Sequence, residues 1–167
     1  LQTLGLGSTR VTDAGLAHLR ELSGLRSLSL SLTDVTDSGL TQLSGLTNLQ
    51  DLNLSSTAVT DAGLVNLRAL KSLRALTIGP RVTDAGLANL HGLANLQTLV
   101  LGGPQVTDAG LTHLRGLTGL QTLVLQGTPV TDDGLAQLRQ TLPKLRIVRI
   151  PEPEKRPTGD RGTGSPR

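Results

Sequence analysis

The triplet Val-Thr-Asp occurs six times in this chain, at Val11-Thr12-Asp13, Val35-Thr36-Asp37, Val59-Thr60-Asp61, Val82-Thr83-Asp84, Val106-Thr107-Asp108 and Val130-Thr131-Asp132. Successive copies are 24, 24, 23, 24 and 24 residues apart. Two residues after each Asp stands a glycine (Gly15, Gly39, Gly63, Gly86, Gly110 and Gly134), and Leu follows every one of them. A period this regular, sustained over most of the chain, points to a stack of like units, each covering the apolar edge of its neighbour.

The unit reads L-x-x-L-x-L-x-x-T-x-V-T-D-x-G-L-x-x-L-x-x-L-x-x. Its first part, as in Leu52-Asn53-Leu54, alternates with the period of a short strand that buries one face. Its second part, as in Leu64, Leu67 and Leu70, spaces Leu by three and predicts a helix with one apolar stripe. Thr followed by Asp places a cap hydroxyl and a negative charge at a helix start, where the first amides lack partners. Gly two residues later is read as room for a close backbone approach. Strand starts fall at Leu1, Leu25, Leu49, Leu73, Leu96, Leu120 and Leu145, which predicts seven strands and six helices. At about 4.8 Å between parallel strands, the stack runs roughly 30 Å.

This frame resembles the leucine-rich repeat family over residues 1 to about 150. Within it, the V-T-D-x-G-L helix start is similar to the cysteine-containing variant, with a bacterial look and a relation to F-box leucine-rich repeat proteins. The resemblance implies an α/β solenoid, a curved horseshoe segment with a parallel sheet on the concave face and helices on the convex face. The variant's usual Cys or Asn position holds Thr9, Thr33, Thr57 and Thr128, with Pro80 and Pro104 in the other two units. A ladder of threonine hydroxyls between repeats is expected there, broken at the two prolines, which cannot donate.

The last unit departs from the frame. Leu138 to Leu142 is one residue longer than the usual step, and Pro143 precedes the final strand. From Pro151 onward the leucine pattern stops, and Pro, Gly and charged residues predict a disordered tail over 151–167. The chain opens at Leu1 inside the pattern and without an initiator Met, so an upstream region is expected, whereas the end at Arg167 reads as a true C-terminus.

Composition narrows the function. The chain has no Cys, Met, Phe, Trp or Tyr. That excludes disulfides, thiolate metal sites and cysteine nucleophiles, and it removes stacking platforms for single-stranded nucleic acid. The sequence pI near 10.2 reflects the lack of groups that titrate at high pH more than basicity, since the net charge is only +3. The basic residues are scattered rather than gathered on one phosphate-binding face, which argues against nucleic acid as a partner. Apolar runs are too short for a signal peptide or membrane span. The compartment stays open, on balance towards the cytoplasm, and no cofactor is implied.

Three groups of residues might suggest chemistry, and each has a plainer reading. The six aspartates recur one per repeat at about 5 Å or more, and helix capping accounts for all of them together. His18 and His113 lie four repeats apart, about 19 Å, too far to share a metal. His91, two residues further along its helix than His113, is expected to face elsewhere. Gly79-Pro80 and Gly102-Gly103-Pro104 lack the Lys-Ser/Thr ending of a phosphate loop. The shortened fourth unit is read instead as a change of curvature, its loop forming the rim of a contact site.

The outward strand positions are the candidate binding surface. Stacking predicts three columns: Gln2, Arg26, Gln50, Arg74, Gln97, Gln121 and Arg146; Thr3, Ser27, Asp51, Ala75, Thr98, Thr122 and Ile147; Gly5, Ser29, Asn53, Thr77, Val100, Val124 and Arg149. Candidate contact residues are Arg26, Ser29, Gln50, Asn53, Arg74, Thr77, Gln97, Val100, Gln121, Val124, Arg146 and Arg149. The resemblance implies a non-enzymatic module or scaffold that binds a protein partner on this concave face. Its alternatives are the substrate-recognition part of an F-box-type ubiquitin ligase and a structural spacer in a larger multidomain protein.

Overall fold

A computed structural model describes residues 1–151; the tail predicted beyond Pro151 lies outside the described residues. Seven strands form one parallel sheet in sequence order: β1 (Thr3–Gly5), β2 (Ser27–Ser29), β3 (Asp51–Asn53), β4 (Ala75–Ile78), β5 (Thr98–Gly102), β6 (Thr122–Gln126) and β7 (Arg146–Ile150). Six helices return the chain from each strand to the next: α1 (Asp13–Leu16), α2 (Asp37–Leu40), α3 (Asp61–Leu64), α4 (Asp84–Leu87), α5 (Asp108–Leu111) and α6 (Asp132–Thr141). The result is a curved solenoid, sheet on one side and helices on the other. Seven of its positions in the second coil, Leu25, Leu28, Leu30, Val35, Leu40, Leu43 and Leu46, are each at most 1% exposed.

The helices correct the sequence reading. Helices α1 to α5 are single α-turns of four residues, and each continues as a 3₁₀ segment such as Val65–Ala69. A leucine every third residue matches three residues per turn rather than 3.6, so Leu64, Leu67 and Leu70 all reach the core. Among the described residues only α6 is a regular α-helix, ten residues long, and the one step of four, from Leu138 to its C-cap Leu142, falls at its end. The extra residue restores the α period.

The Val-Thr-Asp motif works between coils. Thr36, Thr60, Thr83, Thr107 and Thr131 are N-caps whose hydroxyls accept from an amide in the first turn of their own helices. The aspartates reach sideways instead of capping their own helices. Asp13 accepts from the Thr36 amide at 2.8 Å and the Thr36 hydroxyl at 2.6 Å. The same pair of bonds joins Asp37 to Thr60, Asp61 to Thr83, Asp84 to Thr107 and Asp108 to Thr131. Each threonine hydroxyl therefore donates to the previous coil while accepting from its own helix.

This contact explains the glycine. A Cβ at Gly39, Gly63, Gly86, Gly110 or Gly134 would overlap the carboxylate of Asp13, Asp37, Asp61, Asp84 or Asp108 respectively. The room is needed for a side chain, not for the backbone approach read from the sequence. The expected threonine ladder is also absent. Thr9, Thr33 and Thr57 donate to the carbonyls of Leu6, Leu30 and Leu54 in their own coils, at 2.6–2.8 Å. The hydroxyl sits where the chain turns off the strand, so the nearest free acceptor belongs to its own coil.

Replacing Gly86 by Ala pushes the Asp61 carboxylate off two hydrogen bonds and should lower stability by about 2–3 kcal/mol, within the range for bonds to charged groups. Urea unfolding of Gly86→Ala beside Asp61→Ala measures this, and the double variant should lose little more than either single one, because both remove the same contact.

Candidate functional site

The exposed face of the sheet carries two side-chain columns set by strand register. One reads Thr3, Ser27, Asp51, Ala75, Thr98, Thr122 and Arg146, and the other Gly5, Ser29, Asn53, Thr77, Val100, Val124 and Val148. Gln2, Arg26, Gln50, Arg74, Gln97 and Gln121 precede the strands and form a rim. There the Gln2 carbonyl takes two successive amides, Arg26 at 2.7 Å and Ser27 at 3.0 Å. The carbonyls of Arg26, Gln50, Arg74 and Gln97 do the same. The rim residue is thus one extra residue at each strand entrance, as in a bulge.

The last coil lacks it. Gln121 receives the Arg146 amide, and β7 starts one residue early. Since side chains alternate, a shift of one residue moves every later one to the other face. Arg146 therefore takes the place predicted for Ile147, and Val148 the place predicted for Arg149. Ile147 packs against the core. Arg149 pairs in register with the buried Leu125, donates to the Val130 carbonyl at 2.8 Å and meets Asp132 at 3.2 Å. It closes the end of the core and is not a concave-face residue.

The two halves of the face differ. In the first half, polar side chains bond locally: the Asn53 amide oxygen accepts from the Ser55 amide and hydroxyl, at 2.9 and 2.8 Å, and the Ser29 and Ser31 hydroxyls lie 3.3 Å apart. Strands β1 to β3 are three residues long there; the Ser, Asp and Asn of β2 and β3 and Gly5 of β1 are poor strand formers. In the second half, Thr98, Val100, Thr122 and Val124 are β-branched, and β5 to β7 run to five residues. Val100, Val124 and Val148 stand side by side in register. Arg26, Arg74 and Arg146 are exposed and make no side-chain hydrogen bond to another described residue.

Beside the valines, the strand ends open into a groove of about 440 Å³ lined by Ser56, Ile78, Pro80, Val100, Pro104 and Gln126, among others. It arises where the fourth unit is one residue short. At the turn after the strand, Ser8, Leu32, Ser56, Gly103 and Gly127 have φ of 58°, 55°, 54°, 103° and 61°. At the same place in the fourth unit, two residues after Ile78, stands Pro80, whose ring holds φ negative. Gly103 has no alternative, because a Cβ would come within 2.6 Å of the Pro80 Cα. The two loops discounted as phosphate loops are therefore the walls of this groove.

On the opposite face, His91 and His113 border a common groove with Arg68, contrary to the expectation that they face different sides. His113 lies in the 3₁₀ segment Thr112–Gly116 and His91 is the extended residue just after Ala88–Leu90, so the α-helical spacing used to separate them does not apply. Among the described residues, no cluster of three or more His, Asp or Glu has the geometry to hold a metal ion. No helix of the described residues is long and apolar enough to cross a membrane.

Residues 25–44 and 45–67 match the leucine-rich repeat family model, and the fold carries that pattern through every coil. Those two stretches are similar to leucine-rich repeats. The structure is similar to that of an internalin C2 from Listeria monocytogenes, with a TM-score of 0.63 and 27% identity over 92% of this chain and 74% of that one. An internalin (inlF) from the same organism shares the fold at a TM-score of 0.68 and 23% identity, and this chain spans about half its length (47%). No curated protein matches the chain in sequence. The described residues thus form a repeat solenoid that shares its fold with these internalins and matches the leucine-rich repeat pattern in two of its coils.

Among the aspartates, Asp108 has its carboxyl held below the ordinary value, first by the Thr131 hydroxyl, then by the Thr131 amide, with a smaller contribution from Arg149. Burial opposes the shift without reversing it. A carboxyl whose folded pKa is depressed stabilises the fold above its unfolded pKa of about 3.9, and that contribution is lost as pH falls through the folded value. Asp108→Asn should therefore flatten the acid side of the stability profile below about pH 4, as measured by urea midpoints from pH 2 to pH 6.

Proposed function

We propose that the chain is a non-enzymatic recognition module that holds a protein partner on the second half of its concave sheet. The observation that carries this reading is where the coils stop being alike. The Val-Thr-Asp-x-Gly-Leu motif is kept through all six helix starts. The outward residues change from Ser, Asp and Asn in β2 and β3 to Thr and Val in β5 and β6, beside the groove at Pro80 and Pro104. A spacer requires no such local change. Burying Val100, Val124 and Val148 under an apolar partner side chain supplies the driving force, and the exposed Arg26, Arg74 and Arg146 orient a partner of complementary charge. With no Trp or Tyr, affinity from this surface alone is modest.

The ligase-receptor reading draws no support from a particular residue of this fold, and the valine patch favours direct recognition over the spacer reading. In affinity capture from cells that express the parent gene, Val100→Ser with Val124→Ser should weaken binding of the captured protein by about 30-fold, the effect of one binding hot spot. Thermal unfolding should confirm that the variant is folded. Equal loss in a convex-face variant, Arg68→Ala with His113→Ala, overturns the assignment to the concave face.

A further inference from the structure

On the helix side, the residue after the middle leucine of each triplet forms a row across the coils: Arg20, Ser44, Arg68, His91, Arg115 and Arg139, all exposed. The first coil sets Glu21 beside its arginine, and the second has serine. From the third coil on, every member is basic, Lys71 and Lys144 lie close by in sequence, and segments 65–72, 88–95, 112–119 and 135–145 contain no Asp or Glu. The nearest aspartates, Asp61, Asp84 and Asp108, are engaged by the hydroxyls of Thr83, Thr107 and Thr131. The expectation of scattered basic residues fails here, because neighbours across coils are distant in sequence.

Two of these arginines are held in place without being neutralised. Arg68 Nη2 donates to the side-chain oxygen of Asn89 at 2.7 Å, and Arg115 Nη2 to that of Gln137 at 3.4 Å, each in the next coil. Asn89 is anchored in turn by donating to the Asp61 carbonyl at 3.2 Å. An amide oxygen orients a guanidinium and leaves its charge and its other donors to a further ligand. His91 leans the same way, over Gly116, where a Cβ would stand 3.3 Å from Nδ1. Arg68, His91 and His113 border a groove of about 660 Å³. Among the described residues the one ion pair is Arg149 with Asp132, outside this row. Like charges in adjoining coils cost stability by self-repulsion, and a bound anion relieves it.

We propose that Arg68, His91, Arg115 and Arg139 form a second docking surface, separate from the concave sheet, for an extended acidic segment of a protein partner. The match is one of charge and of spacing. Alternate residues of an extended chain lie about 6.6 Å apart, and on the convex side of a curved stack the coils are set wider than the about 4.8 Å between strands. An acidic residue at every second position therefore meets successive coils in turn. Nucleic acid matches less well. Affinity for a duplex grows with the number of phosphates neutralised, and this row is short; a single strand needs aromatic platforms, which the chain does not have.

The probe is a short peptide of alternating Glu and Thr, titrated by calorimetry at low salt, where exposed charges are least screened. Arg68→Gln, Arg115→Gln and Arg139→Gln together should weaken its binding about 10-fold, roughly two-fold for each exposed pair lost. Gln137→Glu sets a carboxylate against Arg115 without removing any arginine, and should weaken it about two-fold. Val100→Ser with Val124→Ser should bind the peptide like the parent, so the two surfaces fail or stand separately. All these positions lie outside the buried core, and thermal unfolding checks that each variant is folded. A parent chain that does not bind the peptide overturns the proposal, and so does a triple variant that binds it equally well. A duplex DNA oligonucleotide that binds the parent more tightly than the peptide at the same salt overturns it in favour of nucleic acid.

Discussion

Everything in this solenoid depends on one carboxylate bridging two coils. The Asp at the first helical position takes an amide and a hydroxyl from the threonine of the next coil, and the glycine of that coil leaves it room. The bridge does at the helix side what the parallel ladder does at the sheet side. It sets the distance and register of one coil on the next. Leucine packing alone is non-directional and tolerates sliding, whereas two hydrogen bonds to a fixed carboxylate do not. Five consecutive bridges therefore turn a leucine-rich stripe into a stack with one register.

That rigidity frees the sheet face. Alternation along each strand assigns the inward residue to packing and leaves the outward one unconstrained by the fold, so outward positions vary without loss of the stack. In this chain the variation is graded along the stack, from locally satisfied Ser and Asn to β-branched Val and Thr. The same change lengthens the strands, and the missing residue of the fourth unit cuts a groove beside them. The apolar patch and the groove thus share one place on the molecule for separate reasons.

Much of this was legible in the residues. Seven strands, six helix starts and the solenoid follow from a period that no other architecture satisfies, and the valine pair at positions 100 and 124 was visible as an apolar spot in a polar column. The one-residue lengthening between Leu138 and Leu142 was visible as a departure, and the structure showed it to fall at the end of a ten-residue α-helix. Three readings failed over which residue lies across from which. The role of Asp as a cap looked only within its own coil, the threonine ladder looked only to the next one, and the placement of Arg149 took the register of the earlier coils to hold in the last. Asp reaches the next coil, Thr33 turns back to its own strand, and Arg149 changes face because the last coil lacks the extra residue at its strand entrance.

The sequence by itself determined the unit, its number and its order, because a strict period with alternating and triplet leucines can bury its apolar face only by stacking. The tertiary structure alone decided what lies across from what: which hydroxyl meets which carboxylate, why the glycine is needed, and which face the last strand presents. These are contacts between residues about 24 positions apart, made by side chains whose direction depends on register, and a shift of one residue reverses it.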